Sequence, residues 1–310
     1  MSRASRRALA AVLALAAWGA GTVVGWVVGL PATAGAALAV GRAHAAFEPA
    51  LDGSQPIFVL VLGSDARAGT PVDRGLADSI HILGIDPAKG RATLLGFPRD
   101  AWVPLATGGT GKINAAMPVG GPEAMVRTVE ALTGIRLDYW ALTGFSGLKR
   151  AVDEIGGLEV DLPTTIVGYD TTYPAGRQRL AGRDALQVAR TRKSLANGDF
   201  GRSEHQGLLM IAALAQFRAE FEEDPTRLFA WLGAGLRHVR TTLSIEELVR
   251  LAFTASRVDP ARVTNVVVPG SIGSAGGISI VNLSPSAQAL YRDLARDGYI
   301  APGAAARLGA

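Results

Sequence analysis

The chain has 310 residues, 48% of them hydrophobic, enough for one large domain or two small ones with a substantial core. Its formal net charge is +4, and Arg3, Arg6 and Arg7 account for most of it, so the remainder carries no basic excess of the kind a nucleic-acid surface needs. It contains no cysteine, which excludes disulfides and thiolate metal sites, and its four scattered histidines argue against a histidine-rich zinc centre.

Ala8 to Leu30 holds no charged side chain. As a helix it would reach about 35 Å at about 1.5 Å per residue, enough to cross a hydrocarbon core. Residues 1–7 then form a cytoplasmic tail, 8–30 a transmembrane signal anchor, and everything after Leu30 lies outside the cell. An A-x-A pattern at Ala43-His44-Ala45 lies too far beyond the apolar run for a cleaved signal peptide. Residues 31–54 are rich in Ala, Gly and Pro and read as a juxtamembrane linker, with room for a short helix near Ala36 to Ala46.

A single extracytoplasmic domain is expected over residues 55–300, followed by a frayed tail at 301–310. Ile57 to Leu62 is a continuous apolar run, the mark of a buried central strand. Ser79 to Ile85 and Arg91 to Phe97 read as strands joined by the turn Asp86-Pro87-Ala88-Lys89-Gly90, and so as a hairpin. Pro122 to Leu132 has a helix's start and stop, with Gly134 beyond its end. A strand at Tyr139 to Leu142, a helix at Phe145 to Ile155 and a strand at Leu158 to Leu162 follow. Thr164 to Arg179 reads as a long polar loop and Gly182 to Val188 as a short helix. Helical periodicity recurs at Gly201 to Phe221, Thr226 to His238 and Ile245 to Ala255. Val263 to Val268 is a late strand and Ser286 to Arg296 a terminal helix. Alternating strands and helices imply a layered α/β domain with a mixed sheet.

This layout gathers polar residues. Asp65 follows the first central strand, Asp78 precedes the second, and Arg99 and Asp100 follow the third. If the first strand lies antiparallel beside the hairpin, all four meet at one sheet edge. Two carboxylates at about 4 Å repel by about 4 kcal/mol at an effective dielectric near 20, so an arginine or a cation must offset them. Mg²⁺ suits one or two carboxylates plus phosphate oxygens. Arg190 and Arg192 would face the same side of a strand, while Asp199, Arg202 and Gln206 share one face of a helix. Guanidinium forks grip phosphate oxygens, so a diphosphate between the two groups is chemically sensible. Singly, each has an ordinary reading: Asp65 as a turn residue, Arg99-Asp100 as a surface ion pair, Arg190 and Arg192 as a solvated strand face, Asp199 as a helix N-cap.

Jointly they resemble the LytR-CpsA-Psr family. The resemblance rests on Val61-Leu62-Gly63-Ser64-Asp65-Ala66-Arg67, Ala77-Asp78-Ser79, Pro98-Arg99-Asp100, Gly111-Lys112-Ile113-Asn114-Ala115-Ala116, Asp153 to Asp161, Ala189-Arg190-Thr191-Arg192 and Gly198-Asp199-Phe200-Gly201-Arg202 with Gln206, in order over roughly Phe58 to Leu214. It implies an α/β fold, a three-layer sandwich with a central mixed β-sheet, and Mg²⁺-aided phosphotransfer of a glycan from a polyprenyl diphosphate carrier to peptidoglycan, by a domain anchored in the membrane. By residue it implies Asp65 and Asp78 as metal and diphosphate acids. Arg67, Arg99, Lys112, Arg190, Arg192, Arg202 and Gln206 match diphosphate-binding positions, and Asp199 a further polar position. Asp65, Asp78, Arg99 and Asp199 form the expected catalytic set. The lipid would need an apolar tunnel, for which the apolar faces of helices at Gly207 to Phe217 and Leu228 to Leu236 are candidate linings, although the same faces read as ordinary core. Two positions depart from the pattern: Leu76 stands where the family usually has Arg, with Arg74 near enough to substitute, and His205 stands where Arg is frequent. A polyprenyl-lipid-binding scaffold without catalysis and a polyprenyl diphosphate hydrolase are the alternative readings.

Overall fold

The computed structural model describes residues 38–44, 53–67, 69–192, 198–227, 231, 239–241 and 243–308. The expected anchor at 8–30 and the expected helix at Thr226 to His238, apart from 226–227 and Trp231, lie outside them. Among the described residues no helix is long and apolar enough to cross a membrane.

The strands β1 (Leu38–Arg42), β2 (Ile57–Ser64), β3 (Ala77–Asp86) and β4 (Arg91–Gly96) belong to one sheet. A small ribbon follows, β5 (Trp102–Pro104) with β6 (Thr110–Lys112). Helix α1 (Ala116–Thr133) is broken at Gly120-Gly121, so that its second half starts at Pro122, and it stops at left-handed Gly134. Then come β7 (Tyr139–Gly144), α2 (Phe145–Glu154), β8 (Leu158–Leu162), β9 (Ile166–Val167), β10 (Thr172–Tyr173) and β11 (Gly176–Leu180). The remainder is α3 (Gly182–Arg190), α4 (Asp199–Glu223), β12 (Val239–Thr241), α5 (Ile245–Arg257), β13 (Val263–Val267), the ribbon β14 (Gly270–Ala275) and β15 (Ile278–Leu283), α6 (Ala287–Asp297) and α7 (Pro302–Arg307).

The main sheet runs β12-β1-β7-β2-β3-β4-β13. It is mixed: β2 is parallel to β7 and β4 to β13, whereas β3 is antiparallel to both β2 and β4. Side chains alternate between its faces with period two. Phe58, Leu60, Leu62, Ile80, Ile82 and Leu95 pack with α1, α6 and α7 on one face. Ile57, Val59, Leu83 and Ile85 pack on the other with α4 and α5. Burial on both faces explains why β2 reads as an unbroken apolar run. A second cluster joins α2, α3, α4 and the β8–β11 ribbon beside the sheet.

Three expectations are corrected. Residues 31–54 are not wholly a linker, and no helix forms over residues 38–42: Leu38–Arg42 is β1, paired with β7 on one side and β12 on the other. The segment hid because Ala39 and Gly41 give no apolar alternation. Gly41 is required because a Cβ there would lie 2.6 Å from the Trp140 indole. The stretch Thr164 to Arg179 is not simply a loop. It contains β9, β10 and most of β11, and Gly176 to Leu180 pairs with β8. The tail at 301–310 is not simply frayed, since α7 sets Ala305 into the main core.

Candidate functional site

The antiparallel β2–β3–β4 arrangement carries the polar residues to one sheet edge. The β2–β3 register pairs Gly63 with Ser79 and Ser64 with Ala77, leaving Asp78 as an extra residue. A bulge of this kind re-aims the side chain and frees local backbone groups. The freed Asp78 carbonyl accepts from Gln206 Nε2 at 3.2 Å, and the same amide reaches the Ala189 carbonyl at 3.1 Å. Gln206 therefore ties β3 to the end of α3. Asp65 follows β2 and clasps the returning loop: its N–H donates to Leu76 O at 3.0 Å, and its Oδ1 accepts the Leu76 N–H at 2.7 Å. Gly75 makes that approach possible, since a Cβ there would sit 2.4 Å from Ser64 Oγ and 2.6 Å from Ala66 N.

Arg99, in the loop after β4, donates from Nη1 to Asp78 Oδ1. Its backbone N–H donates to Asp199 Oδ2 at 2.9 Å, so Asp199, first residue of α4, holds that loop rather than capping its own helix. Asp199 Oδ1 lies 2.5 Å from Arg202 Nη2, 3.9 Å from Arg99 Nε and 4.0 Å from Arg192 Nη1. The Arg202 approach is off the hydrogen-bonding direction, which leaves Asp199 Oδ1 and Arg99 Nε as buried atoms without a hydrogen bond. Burial works against the charge on Arg99, yet attraction and a hydrogen bond from Asp78 raise its pKa overall. Burial lowers the pKa of Arg202; Asp199 opposes this, and repulsion from Arg99 adds to it.

These residues surround two adjoining cavities. The polar one, about 200 Å³, is lined by Asp65, Asp78, Arg67, Arg99, Arg190, Arg192 and Arg202, with Phe145 and Tyr169. Five guanidiniums therefore face two carboxylates, a lining that favours an anion. The other, about 350 Å³, is apolar and enclosed by α2, α3 and α4 over β2 and β7, with Leu148, Val152, Leu186, Leu209, Met210 and Ala213 among its walls. Asp78, Phe145, Arg190 and Arg202 line both and mark the junction.

The sequence-expected set is thus mostly assembled. Asp65, Asp78, Arg67, Arg99, Arg190, Arg192 and Arg202 share the polar cavity, with Asp199 behind it. Arg190 ends a helix and Arg192 follows it, so they are not on a strand as expected. Two expected diphosphate residues do not line the polar cavity: Lys112 Nζ pairs with Asp100 at 3.0 Å, and Gln206 lines the adjoining apolar cavity and donates its amide to the Asp78 and Ala189 carbonyls. Arg74 does not line the polar cavity; its Nη1 reaches the Pro118 carbonyl at 3.4 Å. The expected apolar wall over Gly207 to Phe217 is present through Leu209, Met210 and Ala213, while of Leu228 to Leu236 only Trp231 is among the described residues. The walls from α2 and α3, and the pair Phe145 and Tyr169, went unread. Each is an aromatic or aliphatic residue whose relation to the site comes from packing, and the one signal in the sequence is the Phe145 position directly after a strand.

A divalent cation fits this donor set only in part. Among the described residues there is no cluster of three or more His, Cys, Asp or Glu side chains suited to a metal. Two carboxylates in one cavity nonetheless match the need of Mg²⁺, which draws its other ligands from phosphate and water.

Fold and site define an α/β protein with a cationic cavity at the mouth of an apolar one. The LytR_cpsA_psr family model matches residues 34–293, most of the chain, and the protein belongs to that family. It is 30% identical over 225 residues to Bacillus subtilis TagV, named a polyisoprenyl-teichoic acid–peptidoglycan teichoic acid transferase, covering 68% of this chain and 57% of that one. It is 37% identical over 172 residues to Corynebacterium glutamicum LcpB, named a probable cell wall biosynthesis protein, covering 50% and 41%. The chain spans about half the length of the curated relatives it matches. The crystal structure of B. subtilis TagV superposes with a TM-score of 0.65 at 26% identity, covering 79% of this chain and 97% of that one. A Streptococcus agalactiae protein of 22% identity shares the fold with a TM-score of 0.70, covering 80% and 89%.

Proposed function

We propose that this protein transfers a glycan, with its attached phosphate, from a polyprenyl diphosphate carrier to peptidoglycan, from a domain anchored outside the cell membrane by residues 8–30. The observation that carries this reading is the junction: an apolar cavity of about 350 Å³ opens at Arg190 and Arg202 into a cationic one of about 200 Å³. That pairing matches a lipid whose head is a diphosphate, since neither a free sugar phosphate nor a plain lipid would use both halves. The named activity of TagV, a polyisoprenyl-teichoic acid–peptidoglycan teichoic acid transferase, supports the same class of substrate.

In this reading an acceptor sugar hydroxyl attacks the glycan-side phosphorus. A new P–O bond forms to the acceptor, the bond from that phosphorus to the bridging oxygen breaks, and polyprenyl monophosphate leaves with that oxygen. The hydroxyl proton passes to a pocket carboxylate. The five guanidiniums offset charge on the non-bridging and leaving oxygens, in a site whose donors are already in place. Asp78 holds Arg99 and Asp199 holds Arg99 and Arg202, so the two acids orient the cations. Asp65 and Asp78 are the residues that would hold Mg²⁺, which when bound would supply Lewis-acid neutralisation of the phosphates.

The test uses the whole chain in detergent with Mg²⁺ and a polyprenyl diphosphate-linked sugar, and measures polyprenyl monophosphate released. Asp78→Asn and Arg99→Ala should each lower turnover by about a hundredfold or more. Full turnover in both variants would remove this site from the chemistry. A scaffold reading is favoured by one observation, Leu76 in place of an arginine with Arg74 turned to Pro118. It predicts binding of the carrier with no turnover in the parent. Peptidoglycan separates transfer from hydrolysis, because only transfer leaves glycan bound to the wall.

A further inference from the structure

Arg190 differs from the other guanidiniums in how it is held. Its guanidinium carbon lies 4.5 Å from the centroid of the Phe145 ring and 5.5 Å from that of Tyr169. A guanidinium stacked on aromatic faces is attracted by their quadrupoles and keeps its N–H edges free for phosphate oxygens. Phe145 opens α2, where β7 ends, and so is fixed by the sheet. Tyr169 sits in the turn between β9 and β10 and has no sheet behind it. Its place is set from α3 instead. The Tyr169 N–H donates to Gln187 Oε1 at 3.2 Å, and Asp170 accepts from both Gln187 Nε2 and Arg183. Gly168 permits the approach, because a Cβ there would lie 2.9 Å from Gln187 Oε1. The helix that ends in Arg190 thus also clasps the turn that presents Tyr169 to it. Tyr169 is 60% exposed, a large ring kept at the rim rather than buried.

Position divides the cations further. Arg190 and Arg202 line both cavities, whereas Arg67 and Arg192 line only the polar one. Building on the lipid-diphosphate reading above, we propose that Phe145 and Tyr169 are positioning residues. They clamp Arg190 at the junction, where with Arg202 it receives the phosphate nearest the lipid, while Arg67 and Arg192 receive the second phosphate.

The probes are farnesyl monophosphate and farnesyl diphosphate, titrated calorimetrically into the whole chain in detergent. Tyr169→Ala, an exposed change that leaves the fold intact, should weaken both probes by about three- to thirtyfold, the range of a cation–π contact. Tyr169→Phe should stay within about twofold of the parent. Arg192→Ala should weaken the diphosphate at least about fivefold more than the monophosphate. In an Arg190→Ala background, Tyr169→Ala should have no further effect, because the ring acts only through that guanidinium. An unchanged affinity in Tyr169→Ala, or a loss that persists undiminished without Arg190, overturns the clamp. Equal losses of the two probes in Arg192→Ala overturn the division of phosphates. A parent that binds neither probe overturns the lipid-diphosphate reading itself, and this inference with it.

Discussion

Asp78 shows how a residue earns its place through backbone geometry. On a regular strand it would alternate with its neighbours; as the extra residue of a bulge it turns toward Arg99 and offers its carbonyl to Gln206. The convergence of Asp65, Asp78 and Arg99 was legible in the sequence because three strand signals and one turn fix where the strand ends lie. The destinations of Lys112 and Gln206 were not, since each is decided by a nearer partner, Asp100 or a pair of carbonyls, that no spacing rule reveals. A neighbouring residue, His81, carries a pH prediction. It is fully buried, donates Nε2–H to Ser203 O at 3.1 Å, and accepts at Nδ1 from Ser79 Oγ at 3.2 Å. Burial lowers its pKa from 6.5 to about 4. Between those values the unfolded chain binds more protons at this site than the folded one, so stability rises with pH there. Acidifying from neutral pH to pH 4 should therefore remove about 3 kcal/mol attributable to His81, at about 1.4 kcal/mol per unit. Urea midpoints of the parent and His81→Gln, compared at pH 7 and pH 4, should converge as pH falls. A constant difference would refute the assignment.

At the level of elements, the most instructive case is β1. Central strands announced themselves by apolar runs and β3–β4 by its turn, but β1 is five residues with Gly and Ala among them, and only its neighbours make it a strand. The same holds for β9 and β10, which are two residues each, and for β11, whose Arg-Gln-Arg centre hides its pairing with β8. Trp140 on β7 lies over Gly41, so the two strands depend on each other. A chain begun at residue 47 would expose the β7 edge and uncover Trp140, whereas one begun at residue 34 keeps β1. The shorter form should melt at least about 5–10 °C lower, the shift expected for a loss of a few kcal/mol in a domain of this size. Gly41→Val in the longer form should reproduce part of that loss, since its side chain meets the indole. Equal melting temperatures for all three would show that β1 adds nothing to the sheet. Gly182 marks a second dependence of this kind: a Cβ there would lie 2.1 Å from the Lys149 carbonyl, so α2 and α3 can close the apolar cavity only because position 182 has no side chain.

Across the whole molecule, the sheet divides labour between its faces. One face is packed solid against α1, α6 and α7, and that rigidity holds the ends of β2, β3 and β4 where the carboxylates and Arg99 sit. On the other side, α2, α3 and α4 line an apolar cavity of about 350 Å³. Its walls are almost wholly apolar, so an apolar chain is the occupant they suit. If the occupant is the lipid of an anionic carrier, the two cavities must be separable by mutation. Ala213, on α4, lines only the apolar one and is partly buried. Ala213→Phe should fill part of the space, weaken farnesyl diphosphate at least about tenfold by displacing the chain's apolar contacts, and leave inorganic pyrophosphate within about twofold. Its melting temperature should hold or rise, because a filled void regains dispersion contacts. Undiminished farnesyl diphosphate binding would mean that the chain lies elsewhere. Parallel losses for both ligands would mean that the two cavities act as one, and the junction at Arg190 and Arg202 would then no longer distinguish head from tail.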